Sequence, residues 1–365
     1  MKILALVTEA YGGCGGIAQS NRDLFEALAG ADGRNQVFVL PRNVSNPTQP
    51  LPSGVAQARA VHGKLSYAFS AASEFFRRGP FDLIFCGHLF MAPLAFSLAR
   101  IKKTPYWIHI HGIEAWGKPS FLIQRAAERA WRVTAVSRYT RSKFLTWADV
   151  SPEKVKVLPD TVDERFKPGS KPGHFLSRYG LEGKKIVLTV GRLSSKERYK
   201  GHERVILALP QLLEREAGLV YVIAGEGDDC ARLEELSMRL KVEDHVRFIG
   251  RVSDEELPDV YRMADLFVMP SRGEGFGIVF LEALSSGVPV IGGNLDGSVD
   301  ALSEGRSGRL VEPSDPAELC RAIAENLDSE KAGTSGVEVF SKRNFKRHVD
   351  RLIQNIFEGS FSSAA

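Results

Sequence analysis

The chain has 365 residues, 44% hydrophobic and 25% charged, with a net charge of +4. That length exceeds one ordinary core and predicts two domains, and the balance excludes a disordered or fibrous chain. No run of eighteen apolar residues suggests a membrane-spanning helix, and four scattered cysteines without a Cys-x-x-Cys pair argue against a zinc site or disulfide framework and for a reducing cytosol.

In chain order, Met1–Val7 leads straight into a strand-like run with no separate apolar region or cleavage site, unlike a signal peptide. Strands are predicted at Lys2–Thr8, Gln36–Leu40, Asp82–Cys86, Tyr106–Ile110, Val133–Val136 and Val155–Leu158. Helices are predicted between them near Ile17–Ala29, Leu65–Arg77, Ala92–Ile101 and Phe121–Trp131. Near-continuous apolar strands alternating with helices are the pattern of a buried parallel sheet. Pro159–Gly183, rich in proline, glycine and charge, reads as the interdomain connection. The alternation restarts with strands at Lys185–Val190, Val220–Ala224, Val246–Ile249, Leu266–Met269 and Val288–Gly292. Helices near His202–Arg215, Ala231–Leu240, Asp254–Ala264, Ile278–Ser286 and Asp315–Leu327 go with them, and a last one near Asn344–Phe357.

The fold class is therefore α/β, two Rossmann-like doubly wound domains at 1–165 and 166–340. A C-terminal helix within 341–365 is expected to pack back on the first. Facing halves would enclose a cleft, and such sheets bind ligands beyond the carboxyl ends of their strands.

Charge is divided unevenly. Residues 1–160 hold 20 Lys+Arg against 11 Asp+Glu, and the remainder 28 against 33. A basic first half fits an encounter with an anionic surface. Phe121–Arg132 reads as an amphipathic helix with Arg125, Arg129 and Arg132 near one face. The bland reading is a solvated helix face; the sharper one is a patch that touches anionic lipid headgroups.

The segment Arg272–Leu284 concentrates the chemistry. Glu274 and Glu282 stand eight residues apart around Gly275-Phe276-Gly277. A carboxylate at a loop end accepts from sugar hydroxyls, glycines let backbone N–H groups approach a phosphate, and the following helix N-terminus favours an anion. Glu282, one turn in, suits a ribose diol. Upstream, Gly191-Arg192-Leu193 closes a strand and Lys200-Gly201 precedes a helix, which sets two cations where a diphosphate would bind. Lys196 competes with Lys200, which is favoured because the helix starts directly after it. Gly12–Gly16 follows the first strand, and Gly13, Gly15 and Ala18 fit G-x-G-x-x-A. The acid that a dinucleotide site needs after the second strand is replaced by Leu40-Pro41-Arg42, so a nicotinamide cofactor is the weaker reading. His109, His111 and Glu114 lie at the carboxyl end of a strand; His109 reads as a packed strand residue, and a neutral imidazole at His111 can donate to a sugar hydroxyl or act in proton transfer, with His88 a weaker candidate. No Asp-x-Asp occurs, so fixed cations and helix dipoles are expected in place of a divalent metal.

These motifs together resemble the retaining glycosyltransferases of family 4, with the GT-B fold. The resemblance rests on GRL…KG (Gly191–Gly201), AGEG (Ala224–Gly227), the E-x7-E of Glu274 and Glu282, and an HG(x)E after a first-half strand. It runs from Gly15–Ile17 to the last helix. It implies that Arg192 and Lys200 bind the donor diphosphate and that Glu274 holds sugar hydroxyls. Gly275, Phe276 and Gly277 would present N–H groups, and Glu282 would hold the ribose. By the same resemblance His111 contacts the sugar near its anomeric centre, Gly15 and Gly16 line the cleft, and the residues around Gly225 and Arg251-Val252 cradle the base. The family's usual Asn-Gly at the domain junction is Asp160-Thr161 here, and the loop Ser194–Tyr199 is longer than the commonest form.

The function expected is metal-independent retaining transfer of a hexose from UDP-hexose or GDP-mannose to a saccharide or lipid-linked acceptor, with no cofactor and no nucleic-acid partner. Location would be cytoplasmic, with peripheral contact at an anionic membrane in a polysaccharide pathway. The rivals are a nucleotide-sugar epimerase on the same architecture, an NAD-dependent oxidoreductase, and a non-catalytic binding protein.

Overall fold

A computed structural model describes residues 1–30, 33–44, 50–327, 336–354 and 356. The chain divides into two compact units, one built from Met1–Thr161 with the helix Lys342–Gln354, the other from Val162–Ser341.

In the first unit seven strands form one parallel sheet: β1 (Lys2–Val7), β2 (Gln36–Pro41), β3 (Val55–Gln57), β4 (Leu83–Cys86), β5 (Tyr106–Ile110), β6 (Arg132–Ala135) and β7 (Val155–Val157). Their order is β3-β2-β1-β4-β5-β6-β7, with Lys2 opposite Gln36 and Ile3 opposite Leu83. Strand alternation divides the core. Ile3, Ala5 and Val7 face the helix Gly16–Ala29 and the C-terminal helix, which buries Phe345, Val349, Leu352 and Ile353. Leu4 and Leu6 face Tyr67, Ala71 and Phe75 of the helix Lys64–Arg78. Lys342 reaches Glu26 at 3.2 Å and Asp23 at 3.6 Å, which ties the last helix to the first.

The second unit repeats the plan with β8 (Lys185–Val190), β9 (Leu219–Ala224), β10 (Val246–Gly250), β11 (Leu266–Met269), β12 (Val290–Gly293) and β13 (Arg309–Val311). Their order is β10-β9-β8-β11-β12-β13, all parallel. In each sheet the order reverses beside the first strand, at β1/β4 and β8/β11, and the strand ends there open a crevice.

The structure corrects several expectations. β3 (Val-Ala-Gln) and β13 (Arg-Leu-Val) are not predicted, because neither three-residue edge strand alternates apolar and polar residues as the equally short β7 (Val-Lys-Val) does. The polar helix Arg138–Leu145 buries only Thr140 and Phe144, too few for an apolar period to show. Pro159–Gly183 is not all connection, since Gly173–Tyr179 is helical and anchored by buried Phe175. The units divide at Thr161/Val162 rather than after residue 165. Val162 bridges Ser341, and Phe166 packs edge-on to Tyr261 at 5.7 Å, so both belong to the second unit.

The helix at Phe121 ends at Glu128. Trp131 already donates to the Tyr106 carbonyl in the sheet, and Arg132 begins β6 with its guanidinium 4.6 Å from the Trp131 ring. Arg125, Arg129 and Arg132 therefore do not share a helical face. The predicted end of the last helix, Phe357, lies outside the described residues.

Candidate active site

The switch crevice of the second unit is built from the exits of β8 and β11. After β8 the chain passes Gly191 and Arg192, turns through Ser194–Tyr199, and reaches Lys200 and Gly201 before the helix His202–Leu213. Gly201 has φ +87°, and a Cβ there would lie 2.7 Å from the Pro270 carbonyl just past β11. Only glycine brings the two exits this close. Lys200 Nζ consequently reaches Glu274 Oε1 at 2.5 Å and Glu197 Oε2 at 3.8 Å, and Glu197 Oε1 holds Arg192 at 2.5 Å. Arg192, Glu197, Lys200 and Glu274 thus form one chain of alternating charge. Lys200 is the lysine in this chain of charge, and Lys196 is exposed.

Burial works against the Lys200 ammonium. The nearby Glu274, Tyr199 and Glu197 more than offset it, and its pKa ends above the ordinary lysine value. The amine is therefore a fixed cation at neutral pH. Arg192 differs: its side chain is 77% exposed and is held at Glu197 from the solvent side.

Two further glycines couple the exits of β8 and β9. A Cβ on Gly225 would stand 1.9 Å from the Gly191 carbonyl oxygen, and one on Gly227 would stand 2.2 Å from that of Leu193. Ser195 also binds Asp228 through its N–H (2.8 Å) and hydroxyl (2.5 Å), and Arg198 meets Asp229 at 3.0 Å. Gly225 N–H donates to Gly250 O, which sets the AGEG loop beside the exit of β10, where exposed Arg251 and half-buried Val252 follow.

Gly277, at φ +88°, caps the helix Ile278–Ser285. The Phe276 ring is buried against Phe340 at 5.5 Å, so its backbone alone faces the crevice. Glu282 sits in the second turn and accepts from the Tyr261 hydroxyl at 2.7 Å. Burial pushes its carboxyl up to about 7, with the Tyr261 hydrogen bond acting in the opposite sense.

Two residues here carry no sequence signal. Glu197 lies in a loop of mixed charge, where nothing marks it as the link between Arg192 and Lys200. Asp296 is fully buried. Its Oδ2 accepts from Glu274 N–H at 2.7 Å and from the Ser271 hydroxyl, and its Oδ1 accepts from Ser298 N–H at 2.9 Å. Gly297 N–H returns to the Glu274 carbonyl at 2.8 Å. One carboxylate therefore holds the Glu274 backbone in place. The only hint in the sequence is an Asp-Gly-Ser turn after an apolar strand.

In the first unit, Gly15 (φ +85°) caps the 14-residue helix Gly16–Ala29, and Gly15 and Gly16 are exposed. Arg22 fixes the loop by donating to the Ala10 and Gly13 carbonyls at 3.1 and 3.0 Å. His111 follows β5. Its Nε2–H donates to the Gly87 carbonyl (3.1 Å) and its backbone N–H to Glu114. Only Nδ1, an acceptor, is left for a ligand. Burial, then neighbouring His109, holds the ring at about 3, so it is neutral at pH 7. The expected donation to a sugar hydroxyl is therefore not available from Nε2. His109 is a core residue, 2% exposed and bonded to Thr134 at 2.8 Å. His88 caps a short turn by accepting from Phe90 N–H.

Among the described residues no group of three His, Cys, Asp or Glu side chains stands where it could hold a metal ion, and no helix is long and apolar enough to cross a membrane.

Residues 14–166 match the family model described as Glycosyltransferase Family 4, and residues 177–340 match Glycosyl transferases group 1. The chain is 34% identical over 224 residues to the GDP-mannose-dependent alpha-(1-6)-phosphatidylinositol monomannoside mannosyltransferase of Mycolicibacterium smegmatis, covering 59% of this chain and 58% of that protein. It is 40% identical over 173 residues to the mannosylfructose-phosphate synthase of Agrobacterium fabrum, covering 45% and 37%. The matched part thus spans under three-fifths of these relatives' own length. Among solved structures, sucrose-phosphate synthase from Thermosynechococcus elongatus superposes with a TM-score of 0.81 at 21% identity, covering 98% of this chain and 100% of that one. Anabaena HepE in complex with UDP and glucose gives 0.77 at 21% identity, covering 96% and 99%.

Proposed function

The chain belongs to the family 4 glycosyltransferases, with the GT-B fold, and on that footing we propose that it moves a hexose from a nucleotide-diphosphate sugar to a saccharide or lipid-linked acceptor with retained configuration and without a metal. The observation that carries the reading is the Arg192–Glu197–Lys200–Glu274 chain in the β8/β11 crevice. The leaving diphosphate gathers negative charge as the glycosidic bond stretches. A largely buried ammonium, an exposed guanidinium and the N–H groups of Gly275–Gly277 act on that charge where it develops. In this reading Glu274 holds sugar hydroxyls, Glu282 the ribose, and Gly225, Arg251 and Val252 the base. His111 offers Nδ1 near the anomeric carbon, and Gly15 and Gly16 offer helix N–H groups. Substitution proceeds on the front face through an oxocarbenium-like state.

UDP-hexose and GDP-mannose both remain as donors. GDP-mannose is the first to test, because the mycobacterial relative's name specifies it. The location proposed is cytoplasmic, at an anionic membrane face.

A thermal-shift panel of UDP, GDP, ADP and their sugars tests the donor side. A ligand at 100 times its Kd is expected to stabilise the fold by about 2.7 kcal/mol. No response to any nucleotide would overturn the reading. With the donor so identified, Lys200→Ala and Glu274→Ala are expected to lose roughly 10²–10³ in transfer rate while melting normally; near-normal turnover in both would refute the assignment. Donor incubated alone distinguishes an epimerase, which would yield an epimer.

A further inference from the structure

The helix Lys64–Arg78 carries two apolar stripes. Tyr67, Ala71 and Phe75 are buried against the sheet. Leu65, Phe69 and Phe76 point the other way and are 87%, 79% and 55% exposed. At 3.6 residues per turn these three fall within about 40° of one another, so they form one outward ridge. A helix that buries one stripe needs no second, and three large apolar side chains in one row are more than scattered surface residues supply. The ridge continues onto the neighbouring helix Ala92–Lys102, where Lys102 Nζ lies 5.9 Å from the Phe76 ring centroid and Ile101 is 57% exposed.

The charge around this ridge is one-sided. Residues 58–103 contain seven lysines and arginines against two acids, Glu74 and Asp82. Glu74 is bound by Arg77 and Arg78, and Asp82 accepts from the Lys2 N–H, so neither acid is left to repel an anion. Arg100, Lys102 and Lys103 are exposed in a row at the end of the second helix. Apolar side chains in a line, flanked by unopposed cations, match a bilayer interface, where rings enter the acyl boundary and ammonium groups meet phosphate.

We propose that the first unit docks on an anionic lipid surface through the Leu65–Phe69–Phe76 ridge and the Arg100–Lys103 cations. This deepens the membrane-face location proposed above and moves its seat away from Arg125 and Arg129. It rests on that location alone, not on the donor-site reading.

The experiment is flotation of the full chain with vesicles of phosphatidylcholine, alone or with about a third phosphatidylglycerol. Wild type is expected to float with the anionic vesicles, not the neutral ones, and to release when salt shortens the screening length. Leu65→Ser/Phe69→Ser/Phe76→Ser, which leaves the buried stripe intact, is expected to lose at least tenfold in bound fraction at unchanged melting temperature. Arg125→Ala/Arg129→Ala is expected to stay within about twofold of wild type. Wild type failing to float, or the ridge variant floating like wild type, would overturn the proposal. So would a wild-type oligomer that the ridge variant converts to monomer, because the ridge would then be a protein contact. The nucleotide thermal shift, run on the same variants, reports the donor site separately: its absence in wild type would sink the transferase reading and leave the docking result standing.

Discussion

The two cations of the β8/β11 crevice already have partners: Glu197 lies between Arg192 and Lys200, and Glu274 takes the other side of Lys200. In the proposed function a diphosphate entering this crevice competes with Glu197 for both. Glu197→Gln keeps the size and removes the competing charge, so it is expected to tighten nucleoside diphosphate binding by roughly three- to tenfold and to slow product release. Isothermal titration of wild type and variant checks this; weaker binding in the variant would show that Glu197 orients the cations rather than competing for them. The charge pattern explains what could be read beforehand. Arg192, Lys200 and Glu274 sit beside glycines at strand exits, and that placement shows in a sequence. Glu197 sits in an ordinary polar loop, and its position depends on how the loop folds over Gly273, where a Cβ would stand 2.5 Å from the Tyr199 ring.

The elements with long apolar runs were legible and the short or polar ones were not. β1, β4, β5, β8 and β11 are buried on both faces and have almost no polar residues to interrupt them. The turn after β12 is the important omission. Asp296 there supports a neighbouring segment through the Glu274 N–H and the Ser271 hydroxyl, besides the Ser298 N–H of its own turn, a long-range role that spacing cannot disclose. Asp296→Ala would strand those buried donors, at about 1–3 kcal/mol for each one left unsatisfied. A loss of about 2–4 kcal/mol is expected, read by urea unfolding. Asp296→Asn keeps the volume and one acceptor, so it is expected to cost less stability but still lower kcat more than it raises KM, because Glu274 loses its fixed backbone. A variant as stable and active as wild type would remove Asp296 from the site.

Across the whole molecule, two sets of buried ionisable groups work in opposition. Burial is the leading cause in all six. It holds His109 and His202 at about 4 and His111 at about 3, and raises Asp23 to about 6 and Asp160 and Glu282 to about 7. The histidines bind protons more readily unfolded, so they withdraw stability as pH falls below 6.5. The carboxyls bind protons more readily folded, so they add stability as pH falls from about 7 toward the unfolded carboxylate range. Between about pH 6 and 4.5 the two sets offset, three protons against three. Below that window the unfolded carboxylates protonate and so do folded His109 and His202, so both differences shrink together and no steep slope arises from these groups. The contribution of these six groups to unfolding free energy is therefore expected to stay nearly level from pH 6 to 4.5. A steady decline beginning at pH 6.5 would mean that Asp23, Asp160 and Glu282 are ionised in the folded protein.

The carbonyl-to-glycine seating of Gly225 on Gly191 and of Gly227 on Leu193 has a consequence for engineering. What each glycine meets is main chain that every residue carries, so a stretch transplanted after β9 must bring glycine at both positions whatever its partner's sequence. A chimera whose imported stretch has a side chain at either point would jam against the segment after β8; one that keeps both glycines would not.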